Sequence, residues 1–151
     1  GLEQQPRAAE FEVALLATIE RLQSLGARAW VLLDVPVHGF DIPKAVARPL
    51  YSPDYIASLC STPDSLPAVG PNAPELRAKL TAAGARVLDP KPMFLSSTGE
   101  YYRVQSDGTP LYRDGHHLTS HGAKLVLLPF LRNAMFELGE TRATAVGRKR
   151  Q

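Results

Sequence analysis

The run Ala29-Trp30-Val31-Leu32-Leu33-Asp34-Val35-Pro36 most limits what this chain can become. Its continuous apolar character suits a parallel strand covered on both faces, and Pro36 ends it. Before it, residues 8 to 25 place Phe11, Leu15, Ile19 and Leu22 at helical spacing, with Glu10, Glu20 and Arg21 between them and Gly26 as a stop. A helix feeding such a strand is the αβ half of a βαβ unit, so a further strand is expected before residue 8. Arg86-Val87-Leu88-Asp89-Pro90 repeats the strand-then-proline pattern and is expected beside residues 29–35 in parallel. The predicted class is α/β.

Between these strands the chain is loop-rich from 39 to 73, punctuated by prolines, with one short helix expected near Asp54 to Leu59 after Ser52-Pro53. Asn72-Ala73-Pro74-Glu75 resembles a capping box that starts a helix running through Leu76, Leu80 and Ala83 to Gly84. Tyr101 to Val104 and Pro110 to Tyr112 flank Ser106-Asp107-Gly108-Thr109, which reads as a hairpin with an Asp-Gly turn. The last helix is expected from Thr119 to about Leu138, apolar on nearly every side at Leu125 to Leu128 and kinked at Pro129.

Length allows one domain, and a 44% apolar share can supply its core. A net charge of +2 gives no electrostatic case for nucleic acid. Part of that charge is Arg148-Lys149-Arg150, so residues 141–151 read as a basic flexible tail. No apolar run approaches the roughly 20 residues of a membrane span. Cys60 is the single cysteine, which rules out an internal disulfide. As a nucleophile it lacks a glycine-lined elbow, and a half-buried thiol is the simpler reading.

Asp114-Gly115-His116-His117 sits in a loop just before the last helix, with Thr119 or Ser120 available as its N-cap. A carboxylate three residues before an imidazole can accept from one ring nitrogen while the other points outward. It thereby fixes the tautomer and stabilises the imidazolium formed when the ring takes a proton from a hydroxyl. Such a pair is a base with its orienter, and it still needs a nucleophile. The alternative reading is a metal set, in which His117 and His121 with Asp114 and His116 offer two imidazoles and a carboxylate. Asp34, at the carboxyl end of its strand, is a candidate substrate contact or a loop cap. His38 reads as a surface-loop residue.

The block Tyr112-Arg113-Asp114-Gly115-His116-His117-Leu118-Thr119 with Gly122-Ala123 resembles the last block of the SGNH (GDSL-like) hydrolases. It is most similar to the form that closes the domain attached to acyltransferase-3 membrane proteins, which are O-acyltransferases of bacterial surface polysaccharides. The resemblance implies His117 as base, Asp114 as orienter, and a three-layer α/β/α, flavodoxin-like parallel sheet. It also implies a Gly-Asp-Ser nucleophile block and oxyanion donors, a Gly and an Asn. No serine here follows a Gly-Asp pair, and the asparagines are Asn72 and Asn133. Residues 1–140 are therefore expected to be the C-terminal part of such a domain, its sheet incomplete and its nucleophile upstream.

The resemblance further implies acetyl transfer to a polysaccharide hydroxyl on the periplasmic side of a bacterial inner membrane. No cofactor is called for. The partners would be an acyl donor, a saccharide acceptor, the upstream part of the same protein and a membrane acyltransferase domain. In such an enzyme the 39–73 excursion would form a lid or sugar wall with Tyr51 and Tyr55 as stacking surfaces. An esterase of the same fold is one alternative, and a metal-binding or non-catalytic interaction module is another. An uncompleted sheet would leave an open edge, through which the chain is expected to dimerise.

Overall fold

Helix α1 (Gln4–Ser24) covers the stretch expected over 8–25 but begins earlier, at Gln4, and its buried contact is Ile19, with Leu15 and Leu16 beside it. The computed structural model describes residues 4–66 and 74–136; Asn72, the end of the last helix near Leu138 and the 141–151 tail lie outside them. Gly26 closes α1 at φ +75°, a conformation that glycine adopts without steric cost. The chain then enters strand β1 (Trp30–Leu32).

Chain contacts divide the molecule into two compact units, Gly1–Val35 with Ser65–Pro90 and Pro36–Asp64 with Lys91–Gln151. In the first, β1 pairs in parallel with β2 (Arg86–Leu88), Trp30 opposite Arg86 and Leu32 opposite Leu88. The ladder is shorter than the apolar run, although Arg86 N–H to the Ala29 carbonyl at 2.9 Å and Leu33 N–H to the Leu88 carbonyl at 2.8 Å extend it at both ends. Helix α4 (Pro74–Ala82) packs Leu76 and Leu80 against Ile19, Ala29 and Ala85, giving this unit its core. Polar ties hold the rim: Lys79 pairs with Glu12, and Arg77 Nη1 lies 3.0 Å from Asp89 Oδ2.

The second unit begins with an element absent from the sequence expectation. Helix α2 (Ile42–Val46) starts at Asp41, whose carboxylate accepts from Lys44 N–H at 3.1 Å, with Pro43 in the first turn. Helix α3 (Pro53–Leu59) follows as expected, its Ser52 Oγ accepting from Tyr55 N–H at 3.1 Å. The Asp-x-Pro start of α2 obeys the same capping logic, and the density of prolines around it hid so short a helix.

The Asp-Gly turn forms between β3 (Gln105–Ser106) and β4 (Thr109–Pro110), with Asp107 at φ 49° and Gly108 at φ 74°. Two successive positive φ values make this a type I′ turn, the one whose twist suits a two-residue hairpin. The expected outer arm pairs differently. Tyr102 bridges Leu95 instead, and Arg103 N–H donates to the Phe94 carbonyl at 2.7 Å; Leu111 N–H to the Val104 carbonyl at 2.8 Å is the hairpin's outward extension. Thus Leu95 and Tyr101 lie on adjoining backbone, joined by Ser96 N–H to the Tyr101 carbonyl at 2.8 Å. The described strands make these two pairs and no wider sheet.

The last helix opens as Ser120–Gly122, widens into a π segment over Ala123–Leu127 and continues as α-helix over 128–136. Leu128 N–H reaches back to the Ala123 carbonyl. The wide turn lies directly before Pro129, which brings no N–H and would clash with the carbonyl four residues back in a regular helix, so the kink expected at proline is taken up as a π bulge. Only Val126 of the Leu125–Leu128 run is buried, while Leu125 and Leu128 face solvent.

Candidate active site

The loop bearing Asp114 and His117 is closed at its base by an antiparallel bridge between Tyr112 and Leu118, and Arg113 N–H donates to the His117 carbonyl at 2.8 Å. Leu111 and Tyr112 are fully buried and anchor the entering strand. On the leaving side Thr119 N–H donates to the Leu111 carbonyl at 2.9 Å, and Thr119 Oγ1 accepts from Gly122 N–H at 2.9 Å as the N-cap. The loop thus springs from buried backbone at both ends.

Within it, Asp114 Oδ1 accepts the backbone N–H groups of His116 at 2.9 Å and His117 at 2.8 Å. Asp114 Oδ2 lies 2.7 Å from His117 Nδ1. Those two backbone N–H groups, then the His117 ring, hold the Asp114 carboxyl well below the usual carboxylate range, so it is ionised at any working pH. An ionised carboxylate accepts only, so Nδ1 carries the proton and Nε2 is the nitrogen left for proton transfer. The imidazole is about half exposed, accessible to a reacting group.

The His116 ring lies against that of His117, centroids 3.9 Å apart and planes tilted by 43°, and its Nδ1 is 3.6 Å from Asp114 Oδ1. Ligand atoms of Asp114, His116 and His117 fall within 4.8 Å of one another, whereas His121 does not join them. The four-residue set anticipated for a metal is therefore reduced to three, and its carboxylate is already engaged by three N–H groups.

Other anticipated residues fall elsewhere. Tyr51 and Tyr55 meet edge-on at 4.6 Å, and Arg48 lies over the Tyr51 ring at 5.1 Å while donating to Tyr51 Oη at 2.7 Å. They form a partly exposed aromatic pair in the second unit. Asp34 is an exposed residue of the first unit. Cys60 is buried, donates to the Ile56 carbonyl at 3.3 Å, and burial pushes its thiol up to about 11, the profile of an inert packing residue. No serine hydroxyl among the described residues bonds the His117 ring. Asn133 is exposed on the last helix.

His38 is the residue that sequence reasoning misplaced. It is 4% exposed, not on a surface loop. Nothing local announces this, because the ring is buried by residues distant in the chain: its Nδ1 accepts from Ser61 N–H at 3.1 Å, and it stands edge-on to Tyr112 at 5.2 Å.

The family model described as "SGNH domain (fused to AT3 domains)" matches residues 1–132. No curated protein and no solved structure matches the chain. Among the described residues no helix is long and apolar enough to cross a membrane. The match spans both units and takes in the Asp114–His117 loop, and the chain belongs to the SGNH domains of the kind fused to AT3 domains, whose chemistry is acyl transfer or hydrolysis.

Proposed function

We propose that this domain serves an O-acyltransferase that moves an acetyl group to a hydroxyl of a cell-surface polysaccharide, with His117 as general base and Asp114 as its orienter. The observation that carries the reading is the 2.7 Å contact between Asp114 Oδ2 and His117 Nδ1 in a loop that leaves the ring open to solvent. His117 Nε2 takes the proton from a serine hydroxyl as that oxygen attacks the acyl carbonyl, and returns a proton to the leaving group. The acyl-serine then passes its acyl group to a sugar hydroxyl, deprotonated by the same imidazole.

The serine and the oxyanion donors come from sequence upstream, with strands that complete a three-layer parallel sheet beside β1. The partly exposed Tyr51–Tyr55 pair is proposed as an acceptor contact, offering apolar faces on which sugar rings stack; Asp34, in the first unit, is proposed separately as a substrate contact. Family membership supports a membrane acyltransferase domain in the same protein; the reaction is proposed to take place on the periplasmic side of that membrane. An esterase differs only in admitting water as the acceptor. A metal at Asp114, His116 and His117 has less support, because coordination would compete with hydrogen bonds that the carboxylate already accepts.

The test is transfer itself. A longer form reaching upstream through its Gly-Asp-Ser, given an acetyl donor and a saccharide acceptor, is expected to leave acetyl on the sugar, read by mass spectrometry, and to lose this with His117→Ala. Acetate released with the sugar unmodified points to the esterase. Transfer unaffected by His117→Ala contradicts both.

A further inference from the structure

His38 is where three stretches of the second unit meet. Its backbone N–H donates to the Gly115 carbonyl at 2.7 Å, inside the loop that carries Asp114 and His117. Its Nδ1 accepts from Ser61 N–H at 3.1 Å, and Ser61 Oγ in turn donates to the Val37 carbonyl at 2.6 Å. Its ring stands at 80° to Tyr112, the residue that anchors the entering strand of the loop. Gly115 approaches so closely that a Cβ there would lie 2.5 Å from the His38 carbonyl oxygen, closer than real Cβ atoms come.

The protonation state follows from these bonds. An Nδ1 that accepts an N–H must be bare, so the proton sits on Nε2, which is buried with no hydrogen bond, as is Tyr112 Oη. A second proton would have to enter at Nδ1, against the Ser61 N–H, in a site closed to bulk solvent. The ring is thus a neutral fixture, and burial accordingly pushes its pKa down to about 4.

We propose that His38 is the positioning residue of the Asp114–His117 pair: its neutral buried imidazole, tied to the Ser61 N–H and set against Tyr112, fixes the His38 backbone that holds Gly115, so that Asp114 Oδ2 meets His117 Nδ1. It does not touch the reacting atoms, and its role rests on the reading of His117 as the base. A leucine would fill the space but leave the Ser61 N–H unpaired. An asparagine keeps an acceptor near the position of Nδ1, so it restores the tie without the ring.

The test is low-field proton NMR of the His117 Nδ1–H shared with Asp114, identified as the resonance lost in Asp114→Asn. His38→Leu is expected to abolish or exchange-broaden it, His38→Asn to restore it, and Gly115→Ala to disturb it from the opposite side of the contact. In the longer active form His38→Leu should lower kcat about 10²-fold at unchanged KM, the scale of a roughly 1 Å misplacement. Should His38→Leu not fold by circular dichroism, Gly115→Ala and His38→Asn carry the same readout. A folded His38→Leu, or Gly115→Ala, with the wild-type resonance overturns the role of His38 while leaving the base assignment intact. A wild-type protein with no Asp114-dependent resonance overturns both.

Discussion

Asp114 does two jobs with one carboxylate, and the geometry separates them. Oδ1 gathers two backbone N–H groups and so shapes the turn, while Oδ2 faces the ring proposed as the base. The loop therefore holds the orienter in place before any substrate arrives, as a preorganised pair requires. Buried His38 leads to a pH prediction. Its folded pKa, near 4, lies below the ordinary histidine value of about 6.5, so the unfolded chain binds more protons between those limits. The stability that the neutral ring contributes is complete above about pH 6.5 and is lost as pH falls toward 4, up to about 3 kcal/mol. Urea titrations across that window should show the decline, and His38→Asn should flatten it. A decline unchanged in His38→Asn would assign it to other groups. The two residues also mark what sequence can show: Asp-x-x-His is a local pattern whose three-residue spacing almost dictates the contact. His38 is buried by Ser61 and Tyr112, contacts across the chain that no local pattern encodes.

At the scale of elements, the entry to the last helix is packed against the strand before the loop. A Cβ on Gly122 would lie 2.1 Å from the Leu111 carbonyl oxygen and 2.9 Å from its carbon, both backbone atoms with no freedom to turn aside. Gly122→Ala is therefore expected to cost about 3 kcal/mol or more, as overpacking against backbone does at its severe end. Thermal melting should show it, and a melting point within a degree or two of wild type would mean that the two segments can separate freely. The starts of α3 and the last helix, the parallel pairing of β1 with β2 and the Asp107-Gly108 turn were legible because caps, apolar runs and turn residues act locally. Short α2 and the pairing of Tyr101–Arg103 with residues 94–96 were not, since strand partnership depends on competition among distant edges. The π segment was half legible: Pro129 announced a disruption, but not that it would be taken up as a wide turn over Ala123–Leu127.

At the scale of the molecule, the first unit carries a sheet of only two strands among the described residues, with Leu32 of β1, Phe11 and Val13 of α1, and Leu25 just after it still exposed. A parallel strand is ordinarily flanked and covered on both faces, so this surface is expected to seek a partner. Light scattering over a concentration series should find dimers or larger species at high micromolar concentration, and the longer form should abolish them. A monodisperse, highly stable monomer would show instead that the two-stranded unit is self-sufficient. Fold class and family were legible from one αβ segment and one loop; the division into two units was not, because it arises from which distant stretches pack together. Whether Asp114 and His117 are the base half of a split serine site is tested most directly by p-nitrophenyl acetate turnover. The proteins to compare are the longer form, its His117→Ala and Asp114→Asn variants, and this chain alone. Turnover is expected in the longer form, lost by about 10³-fold or more in His117→Ala and strongly reduced in Asp114→Asn, with none from this chain. Equal turnover with and without His117, or turnover by this chain abolished by His117→Ala, would contradict the split site.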